Sequence, residues 1–307
     1  MPDGVIVKAL SGYYYVKPIE NGKAVTTEGQ PAIQCRARGV FRNRGITPLV
    51  GDHVVYSLSD HNEGTVNEIK PRHSELIRPP IANVQFAVLL FSLREPDLNL
   101  PLLDKFLVHI ENSGLDTLIC LTKQDLLEGE EIAKNDPITY VQELYERIGY
   151  EVIVTSTRTG RGQEQLRERL AGHICVFSGQ SGVGKSSLLN ALMPSLNLET
   201  NEISMKLGRG KHTTRHVELI ELDNGAFVAD TPGFSQLDFL EMEVGDLSAC
   251  FREFEPYAAE CKFRGCSHLH EPACKVIEAK DKGEIAQIRY DNYVHFYAEM
   301  KDKKRRY

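Results

Sequence analysis

The sequence predicts a chain of three parts: an N-terminal OB-like β-barrel, a central doubly wound α/β domain, and a C-terminal, mostly helical module. Three observations predict this organisation. Short β-rich segments occupy residues 1–75, apolar strands alternate with helical stretches over residues 76–240, and three of the seven cysteines crowd together within residues 241–307. A length of 307 residues agrees with two or three domains.

The composition is that of an ordinary globular protein, with 41% hydrophobic and 26% charged residues. No apolar run approaches the roughly 18 residues of a membrane helix, and the first residues lack the pattern of a secretion signal. We therefore expect a cytoplasmic protein without a membrane partner and, by default, a monomer. Disulfides are uncommon in that compartment, so the four scattered cysteines are expected in the core: Cys35, Cys120, Cys175 and Cys250.

The formal net charge of −7 argues against a protein that coats DNA or RNA by bulk attraction. Residues 1–75 carry 9 Lys and Arg against 8 Asp and Glu, and residues 241–307 carry 12 against 13. The middle segment therefore holds the whole deficit. Any RNA contact has to use local patches on the two flanking segments.

Five segments of residues 1–75 are rich in β-forming side chains and are separated by turn sequences. They are GVIVKAL, GYYYVKP, AIQCRARGVFR, DHVVYSLS and TVNEI. Five strands in this length suggest a small barrel such as an OB-fold. Arg36 and Arg38 alternate along the third strand, with Arg42 and Arg44 just after it, and form either a solvated face or a phosphate-tracking patch.

The pattern changes after ELIRPPIANV, which we interpret as a linker because Pro79 and Pro80 disfavour regular structure. The apolar run QFAVLLFSL is typical of a buried parallel strand. Helical stretches and further strands alternate after it: LPLLDKFLVHIENSG, DTLICLTK, YVQELYERIG, YEVIVTS, GQEQLRERLAG and HICVFSG. This alternation predicts a doubly wound α/β sheet. Beyond it, a long helical stretch is expected from Glu284.

The strongest motif is a phosphate-binding loop that follows the strand HICVFS and opens the helix SSLLNALM. Its residues are Gly179, Gln180, Ser181, Gly182, Val183, Gly184, Lys185 and Ser186, followed by Ser187. Glycines let successive N–H groups turn toward phosphate oxygens. Lys185 supplies a charge for the β- and γ-phosphates, and Ser186 a hydroxyl for Mg²⁺. The alternative, a glycine-rich turn without function, does not explain the strand–loop–helix context.

Two further motifs indicate GTP rather than ATP. Asp230-Thr231-Pro232-Gly233 ends the strand GAFVAD and fits the D-x-x-G element, in which the carboxylate meets Mg²⁺ through water and the Gly233 amide meets the γ-phosphate. Thr122-Lys123-Gln124-Asp125 fits the guanine-specificity element. The carboxylate of Asp125 can accept two hydrogen bonds from guanine, whereas adenine would leave it unpaired.

Other features of the base site are less specific. The stem of Lys123 can cover the base face. Thr122 stands where asparagine is commoner, which we expect to weaken a bracing hydrogen bond without changing the choice of base. The sequence Thr155-Ser156-Thr157 resembles the loop whose backbone supports the guanine carbonyl.

The order of the motifs is reversed, because Asp125 precedes Gly179, whereas ordinary GTPases begin with the phosphate loop. Rejoining surface termini and reopening the chain elsewhere produces this order without changing the packing of the sheet. The ordered set TKQD, GQSGVGKSS, GKHTTRH, DTPG and a cysteine cluster resembles the RsgA family of circularly permuted GTPases over nearly the whole chain. The resemblance implies GTP hydrolysis during late assembly of the small ribosomal subunit, stimulated by the subunit and followed by release.

A metal site is predicted from Cys261, Cys266, His268 and Cys274, which supply three thiolates and an imidazole. This is a closed tetrahedral set suited to one structural Zn²⁺ ion. The alternative is four unrelated core or surface residues. His270 could replace the imidazole ligand, but the resemblance favours His268.

The catalytic machinery is predicted mainly from the resemblance. Many GTPases place Gln directly after the D-x-x-G glycine to orient water, but Phe234 stands there. Thr213 or Thr214 can meet Mg²⁺ and the γ-phosphate, and the resemblance makes His212 the residue that positions water. The alternatives for His212 are an exposed loop histidine or an RNA contact.

Two other function classes remain open at this point. An ATP-dependent kinase or ATPase would use the same phosphate loop, although TKQD and DTPG count against it. An RNA-binding module could use its nucleotide pocket only for regulation, although the intact Lys185 and Ser186 count against that. The C-terminal KDKKRRY is either a solvated helix end or a salt-dependent RNA contact.

Overall fold

The computed structural model describes residues 1–20, 23–24, 31–59, 63–77, 79–127, 137–196, 217–230 and 242–304. The barrel consists of five main strands: β1 (Asp3–Leu10), β2 (Tyr13–Glu20), β4 (Ile33–Ala37), β5 (His53–Leu58) and β6 (Gly64–Ile69), with the short β3 (Lys23–Ala24) beside β2. The order β1-β5-β6-β4-β2 closes through a pairing of β1 with β2. Inward-facing Val16, Val54 and Val66 are fully buried. The predicted five-stranded barrel is confirmed.

The third predicted strand was too long. The segment AIQCRARGVFR leaves the sheet at Ala37 and continues as helix α1 (Gly39–Asn43). Phe41 is buried in the core cluster that includes the barrel interior, whereas its described neighbours are exposed. A five-residue helix with one buried apolar side chain has no periodicity that distinguishes it from a strand. Arg38 therefore lies just beyond the strand that carries Arg36.

The predicted linker contains a short hairpin of β7 (Glu75–Leu76) and β8 (Ile81–Ala82). Pro79 and Pro80 lie in the turn between the two strands, where a missing N–H breaks no sheet hydrogen bond. Ile81 is fully buried and bridges to Val50 next to the barrel. The linker prediction was therefore wrong for these four strand residues.

The central sheet confirms the predicted alternation of strands and helices. Its strands are β9 (Phe86–Ser92), β10 (Asp116–Thr122), β11 (Glu151–Val154), β12 (Ile174–Gly179), β13 (Leu219–Glu221) and β14 (Phe227–Asp230). Helices α2 (Leu100–Asn112), α3 (Pro137–Ile148), α4 (Gln163–Leu170) and α5 (Lys185–Leu192) connect them. The order is β11-β10-β9-β12-β14-β13, and β13 pairs antiparallel to β14 in an otherwise parallel sheet.

Strand β9 is buried along its whole length and separates two core clusters. Ala87, Leu89 and Phe91 belong to one cluster, whereas Phe86, Val88 and Leu90 belong to the other. Burial on both faces explains why QFAVLLFSL reads as an uninterrupted apolar run. The chain builds outward from β9 to β11, then returns to β12 on the other side of β9, so the topological switch point lies between β9 and β12.

The C-terminal part is mostly helical, as expected. It contains two 3₁₀ segments (Val244–Cys250 and Arg252–Phe254), α6 (Glu255–Ala258), α7 (Lys275–Asp281) and α8 (Gln287–Lys304). Its core is rich in aromatic side chains, with ring centroids of Phe254 and Tyr293 4.9 Å apart.

The four scattered cysteines, which lie in all three parts of the chain, are buried, and this confirms their predicted core role. None of the described helices is both long and apolar enough to cross a bilayer.

A buried polar cluster joins the C-terminal helix to the central domain. Arg289 of α8 is fully buried and donates to Asp104 of α2 at 2.6 Å and to Glu253 at 2.6 and 3.1 Å. Tyr145 of α3 and Asn292 of α8 also donate to Asp104, at 2.6 and 2.5 Å. We call these five residues the Arg289 network. Burial opposes the charged guanidinium, but Asp104 and Glu253 hold the pKa of Arg289 well above its ordinary value.

Asp104→Ala is expected to lower the free energy of unfolding by about 3–5 kcal/mol, because it leaves a buried guanidinium short of a partner. Urea denaturation followed by circular dichroism and tyrosine fluorescence measures the change, and the chain contains no tryptophan to interfere. Lys105→Ala is the matched control, because Lys105 pairs with Glu299 between the same two helices at 2.9 Å but is partly exposed. The control should cost about 1 kcal/mol or less. Equal losses in both variants would contradict the importance of the network.

Candidate nucleotide site and metal centre

The predicted nucleotide motifs meet at the carboxyl edge of the central sheet. Strand β10 ends at Thr122, β12 ends at Gly179, and β14 ends at Asp230. These strands run parallel, so their carboxyl ends lie on one edge. Ligands of doubly wound sheets bind there, next to the switch point.

The phosphate loop connects β12 to α5 and depends on glycine at defined positions. A Cβ atom on Gly179 would lie 2.2 Å from the carbonyl oxygen of Leu90 in β9. Gly182 and Gly184 have φ angles of 83° and 93°, a left-handed conformation that favours glycine. Gly184 caps the N-terminus of α5, where unpaired N–H groups and the helix dipole favour an anion.

Helix α5 places the polar residues of the motif in its first turn and buries its apolar side. Lys185, Ser186 and Ser187 are partly exposed, whereas Leu188 and Leu189 are fully buried against the central sheet. The charged and hydroxyl side chains therefore start at the anion-binding end of a helix held by its own core contacts. This arrangement can hold a triphosphate and a magnesium ion.

The guanine motif is hydrogen-bonded to the phosphate loop. The hydroxyl of Thr122 donates to the carbonyl of Val183 at 2.5 Å. The ammonium of Lys123 donates to the carbonyl of Glu95 in the loop after β9, and a Cβ on Gly184 would lie 3.7 Å from its Cε atom. The threonine hydroxyl thus braces the two loops despite being shorter than asparagine, and the Lys123 stem lies beside the phosphate loop.

The carboxylate of Asp125 is held by the loop that follows β11. Ser156 is fully buried, and its hydroxyl donates to Asp125 Oδ1 at 2.5 Å. The Oγ atom of Ser156 also accepts from the amides of Arg158 and Thr159 at 3.2 and 3.1 Å, so the single hydroxyl proton of Ser156 is directed to the carboxylate. A carboxylate offers about four acceptor positions, so Asp125 keeps capacity for the two donors of guanine.

Several supporting residues escaped the sequence analysis. Gln163 donates from its side chain to the carbonyl of Ser156 at 3.1 Å, and a Cβ on Gly162 would lie 2.2 Å from the carbonyl of Val154. Gly160 and Gly162 in the sequence TGRG signalled a turn there. The contact of Lys123 with Glu95 had no signal, since the two residues are 28 positions apart.

The structure does not describe four of the predicted residues. His212, Thr213 and Thr214 fall within residues 197–216, and Gly233 falls within residues 231–241, both outside the described ranges. Asp230 is described as the last residue of β14, opposite Phe177 of β12. The backbone of the D-x-x-G element thus begins beside the strand that leads into the phosphate loop.

The four predicted metal ligands converge. One ligand atom from each of Cys261, Cys266, His268 and Cys274 lies within 4.8 Å of all the others. The Nδ1 atom of His268 is 3.3 Å from the sulfur of Cys274 and 3.7 Å from that of Cys261. Three sulfurs and one imidazole nitrogen at these separations suit a tetrahedral zinc ion. His270 is exposed and does not belong to the cluster, so the geometry favours His268.

Residues around the cluster orient its loop. The carboxylate of Glu271 accepts from the amide and hydroxyl of Ser267 at 2.8 and 2.5 Å and from the amide of Leu269 at 3.1 Å. Partial burial alone would raise the pKa of Glu271, but these hydrogen bonds hold it well below its ordinary value. Tyr290 and Tyr293 of α8 donate to the carbonyls of His268 and Ser267 at 2.8 and 2.7 Å. The metal loop is therefore fastened to the C-terminal helix.

Asp125→Asn is expected to weaken GTP binding by about a hundredfold, because two charge-assisted hydrogen bonds to guanine are lost. Xanthosine triphosphate should bind better to this variant than to the wild type, since xanthine presents a carbonyl that the amide can donate to. Equilibrium titration with fluorescent nucleotides measures both affinities. Asp97→Asn, which removes the same charge from the exposed loop after β9, should leave both unchanged. Unaltered GTP affinity in Asp125→Asn would contradict the assignment.

The wild type is expected to contain one zinc ion per chain, and His268→Ala is expected to lose it, because three thiolates alone leave the tetrahedral set incomplete. Elemental analysis of the purified protein measures the metal, and limited proteolysis measures the order of the loop. His270→Ala is the control and should keep its zinc. Loss of zinc from His270→Ala but not from His268→Ala would reverse the ligand assignment.

Comparison with known proteins agrees with this architecture. A family model described as the RsgA GTPase matches residues 69–240, and one described as the RsgA N-terminal domain matches residues 3–66. The chain is 53% identical over 307 residues to the small ribosomal subunit biogenesis GTPase RsgA of Geobacillus kaustophilus (strain HTA426), covering 100% of both chains. It is 50% identical over 307 residues to the protein of the same name from Bacillus subtilis (strain 168), again covering 100% of both.

Solved structures show the same similarity. The crystal structure of YloQ, described as a circularly permuted GTPase, superposes with a TM-score of 0.79 at 44% identity, covering 99% of this chain and 96% of that one. YjeQ from Thermotoga maritima superposes with a TM-score of 0.80 at 34% identity, covering 97% and 98%. With its reversed motif order, braced guanine and phosphate loops and full-length relatives, the chain belongs to the RsgA family of circularly permuted GTPases.

Proposed function

We propose that this GTPase binds the small ribosomal subunit late in its assembly, hydrolyses GTP when the subunit stimulates it, and leaves after hydrolysis. The observation that carries the GTP-dependent part is the hydrogen-bonded joint of the guanine and phosphate loops through Thr122 and Val183. The ribosomal part is supported by the relatives, which are named small ribosomal subunit biogenesis GTPases.

In this proposal the base and the phosphates are held by separate loops of one sheet edge. Asp125 selects guanine, Lys123 covers the base, and the backbone of Thr155 and Ser156 supports the guanine carbonyl. The remaining nucleotide contacts come from the phosphate loop and the D-x-x-G element: residues 179–187, Asp230 and Gly233. The hydroxyl of Ser186 and the carboxylate of Asp230 would hold Mg²⁺, which would offset the charge of the phosphates.

Hydrolysis requires a group that orients water, and Phe234 cannot do so because its side chain has no hydrogen-bonding atom. We assign that role to His212 and the contacts with Mg²⁺ and the γ-phosphate to Thr213 or Thr214. The segment also carries Lys211 and Arg215. We expect this basic segment to contact RNA, and we therefore expect a slow basal rate that rises when the subunit is bound.

The flanking domains provide the RNA contacts in this proposal. On the barrel (residues 1–75), Arg36, Arg38 and Arg44 are exposed. Within residues 241–307, Lys262, Phe263 and Arg264 are exposed together between the first two metal ligands. Basic side chains beside an exposed ring suit contacts with phosphates and unpaired bases. The GTPase domain (residues 76–240) lies between these two parts in the chain.

The decisive experiment is GTP hydrolysis by the zinc-loaded protein with and without small ribosomal subunits, with ATP as the control nucleotide. We expect the subunits to accelerate GTP turnover strongly and ATP turnover not at all. Lys185→Ala should abolish the activity, because it removes the charge that stabilises the transferred phosphoryl group. His212→Ala should lower the stimulated rate by about a hundredfold or more without weakening GTP binding.

Two results would contradict parts of the proposal. Tight GTP binding without stimulation by subunits would remove the ribosome as activator and leave the nucleotide site intact. If the stimulated rate is unchanged in His212→Ala, a residue other than His212 positions the attacking water.

A further inference from the structure

We propose that two ion pairs, which join the barrel to strand β13 and to the residue directly before it, transmit barrel binding to the nucleotide site. The paired residues are Lys8 with Glu218 and Lys17 with Glu221, and we call them the barrel clamp. They act in the stimulation of GTP hydrolysis by the bound subunit and have no part in basal turnover or GTP binding. This inference rests on the proposed function, because it concerns how the bound subunit stimulates turnover.

The clamp fastens the barrel to one edge of the central sheet. The ammonium of Lys8 in β1 lies 2.9 Å from the carboxylate of Glu218, and that of Lys17 in β2 lies 2.9 Å from that of Glu221. The Lys17 and Glu221 side chains are only 23% and 19% exposed. Lys8 and Glu218 also form an antiparallel backbone bridge. The two lysines thus contact Glu218, directly before β13, and Glu221, the last residue of β13.

The position of strand β13 is expected to be sensitive to its contacts with the barrel. It has three residues, lies at the end of the sheet order, and pairs with β14 from Leu219↔Ala229 to Glu221↔Phe227. A short edge strand has little sheet pairing of its own, so side-chain contacts on its outer side contribute a large share of its stability. Its position therefore depends on the barrel.

Movement of β13 reaches the phosphate site through one intervening strand. Strand β14 pairs with β12 up to Asp230↔Phe177, and β12 ends at Gly179, the first residue of the phosphate loop. In the chain, β13 follows the segment with His212, and β14 leads into the D-x-x-G element. The clamp therefore grips the hairpin that separates the two elements expected to meet the γ-phosphate.

The clamp differs from an ordinary surface ion pair in what it joins. An exposed pair within one domain contributes little, because water competes for both charges. The Lys17–Glu221 pair is partly shielded, the Lys8–Glu218 pair is more exposed, and both lie between the barrel and the sheet. We therefore expect their loss to loosen the contact between barrel and sheet. We expect about a fivefold loss of stimulation when the Lys17 pair is broken, which corresponds to about 1 kcal/mol.

The test uses the full-length, zinc-loaded protein and compares Lys17→Glu, Glu221→Lys and the double swap K17E/E221K. Each is measured for basal GTP turnover, GTP affinity, melting temperature and turnover at saturating small subunits. Measuring at saturating small subunits separates an effect on stimulation from an effect on subunit affinity. Weaker binding of the subunit raises its half-saturating concentration but does not lower the limiting rate of GTP turnover. Lys70→Glu is the matched control, since this substitution makes the same charge change on the barrel. Lys70 pairs with Asp3 of the barrel itself, at 2.6 Å.

We expect both single variants to keep the basal rate and GTP affinity and to lose about fivefold of the limiting stimulated rate, and the double swap to recover it. Lys70→Glu should behave as the wild type. The inference is overturned if either single variant is stimulated as strongly as the wild type, if the swap stays as low as the single variants, or if Lys70→Glu falls equally. If the small subunit does not stimulate the wild type, the proposed function fails and this inference fails with it. If the subunit stimulates the wild type and every variant equally, the role of the barrel clamp is rejected and the proposed function stands.

Discussion

The pairing of the buried guanidinium of Arg289 is the constraint on which the relation between the central domain and the C-terminal module depends. A charge taken out of water is tolerated only where opposite charges and hydrogen bonds replace the lost hydration. Asp104 from α2 and Glu253 from the 3₁₀ segment Arg252–Phe254 meet the guanidinium from different parts of the chain. The Cζ atom of Arg289 also lies over the Phe251 ring, 4.6 Å from its centroid. The network therefore holds α8 against α2 and α3 through buried hydrogen bonds.

This arrangement extends in both directions from the network. Toward the metal, α8 carries Tyr290 and Tyr293, which hold the carbonyls of His268 and Ser267. Toward the nucleotide, α2 and α3 cover one face of the strands that end in the guanine and Ser156 loops. The metal loop and the strands that lead to the nucleotide site are therefore connected through the same set of helices. The barrel is attached separately, through the hairpin and through the edge of the sheet.

The parts of the chain differ in how readily the sequence predicted them. The phosphate loop, the guanine element and the cysteine cluster were predicted residue by residue, because each is a short local pattern whose spacing follows from the chemistry of its ligand. The strands of the central sheet were predicted because burial on both faces makes them apolar throughout. By contrast, α1 was missed since Phe41 is buried while Gly39, Val40 and Asn43 are exposed, which leaves no helical periodicity. The hairpin around Pro79 and Pro80 was missed since prolines mark its turn and conceal its strands.

By itself, the sequence determined the fold class, the reversed order of the motifs and the residue types available for binding GTP and a metal. Tertiary structure alone decided which distant residues meet: Asp104 with Arg289, 185 positions apart, Lys8 with Glu218, 210 positions apart, and Thr122 with Val183, 61 positions apart. A local motif can be recognised in the sequence because its residues must lie in one turn, strand or helix, independently of how the rest of the chain folds. A long-range pair has no such signature, because its two residues come together only after helices and strands have packed, and either residue alone looks like an ordinary polar side chain.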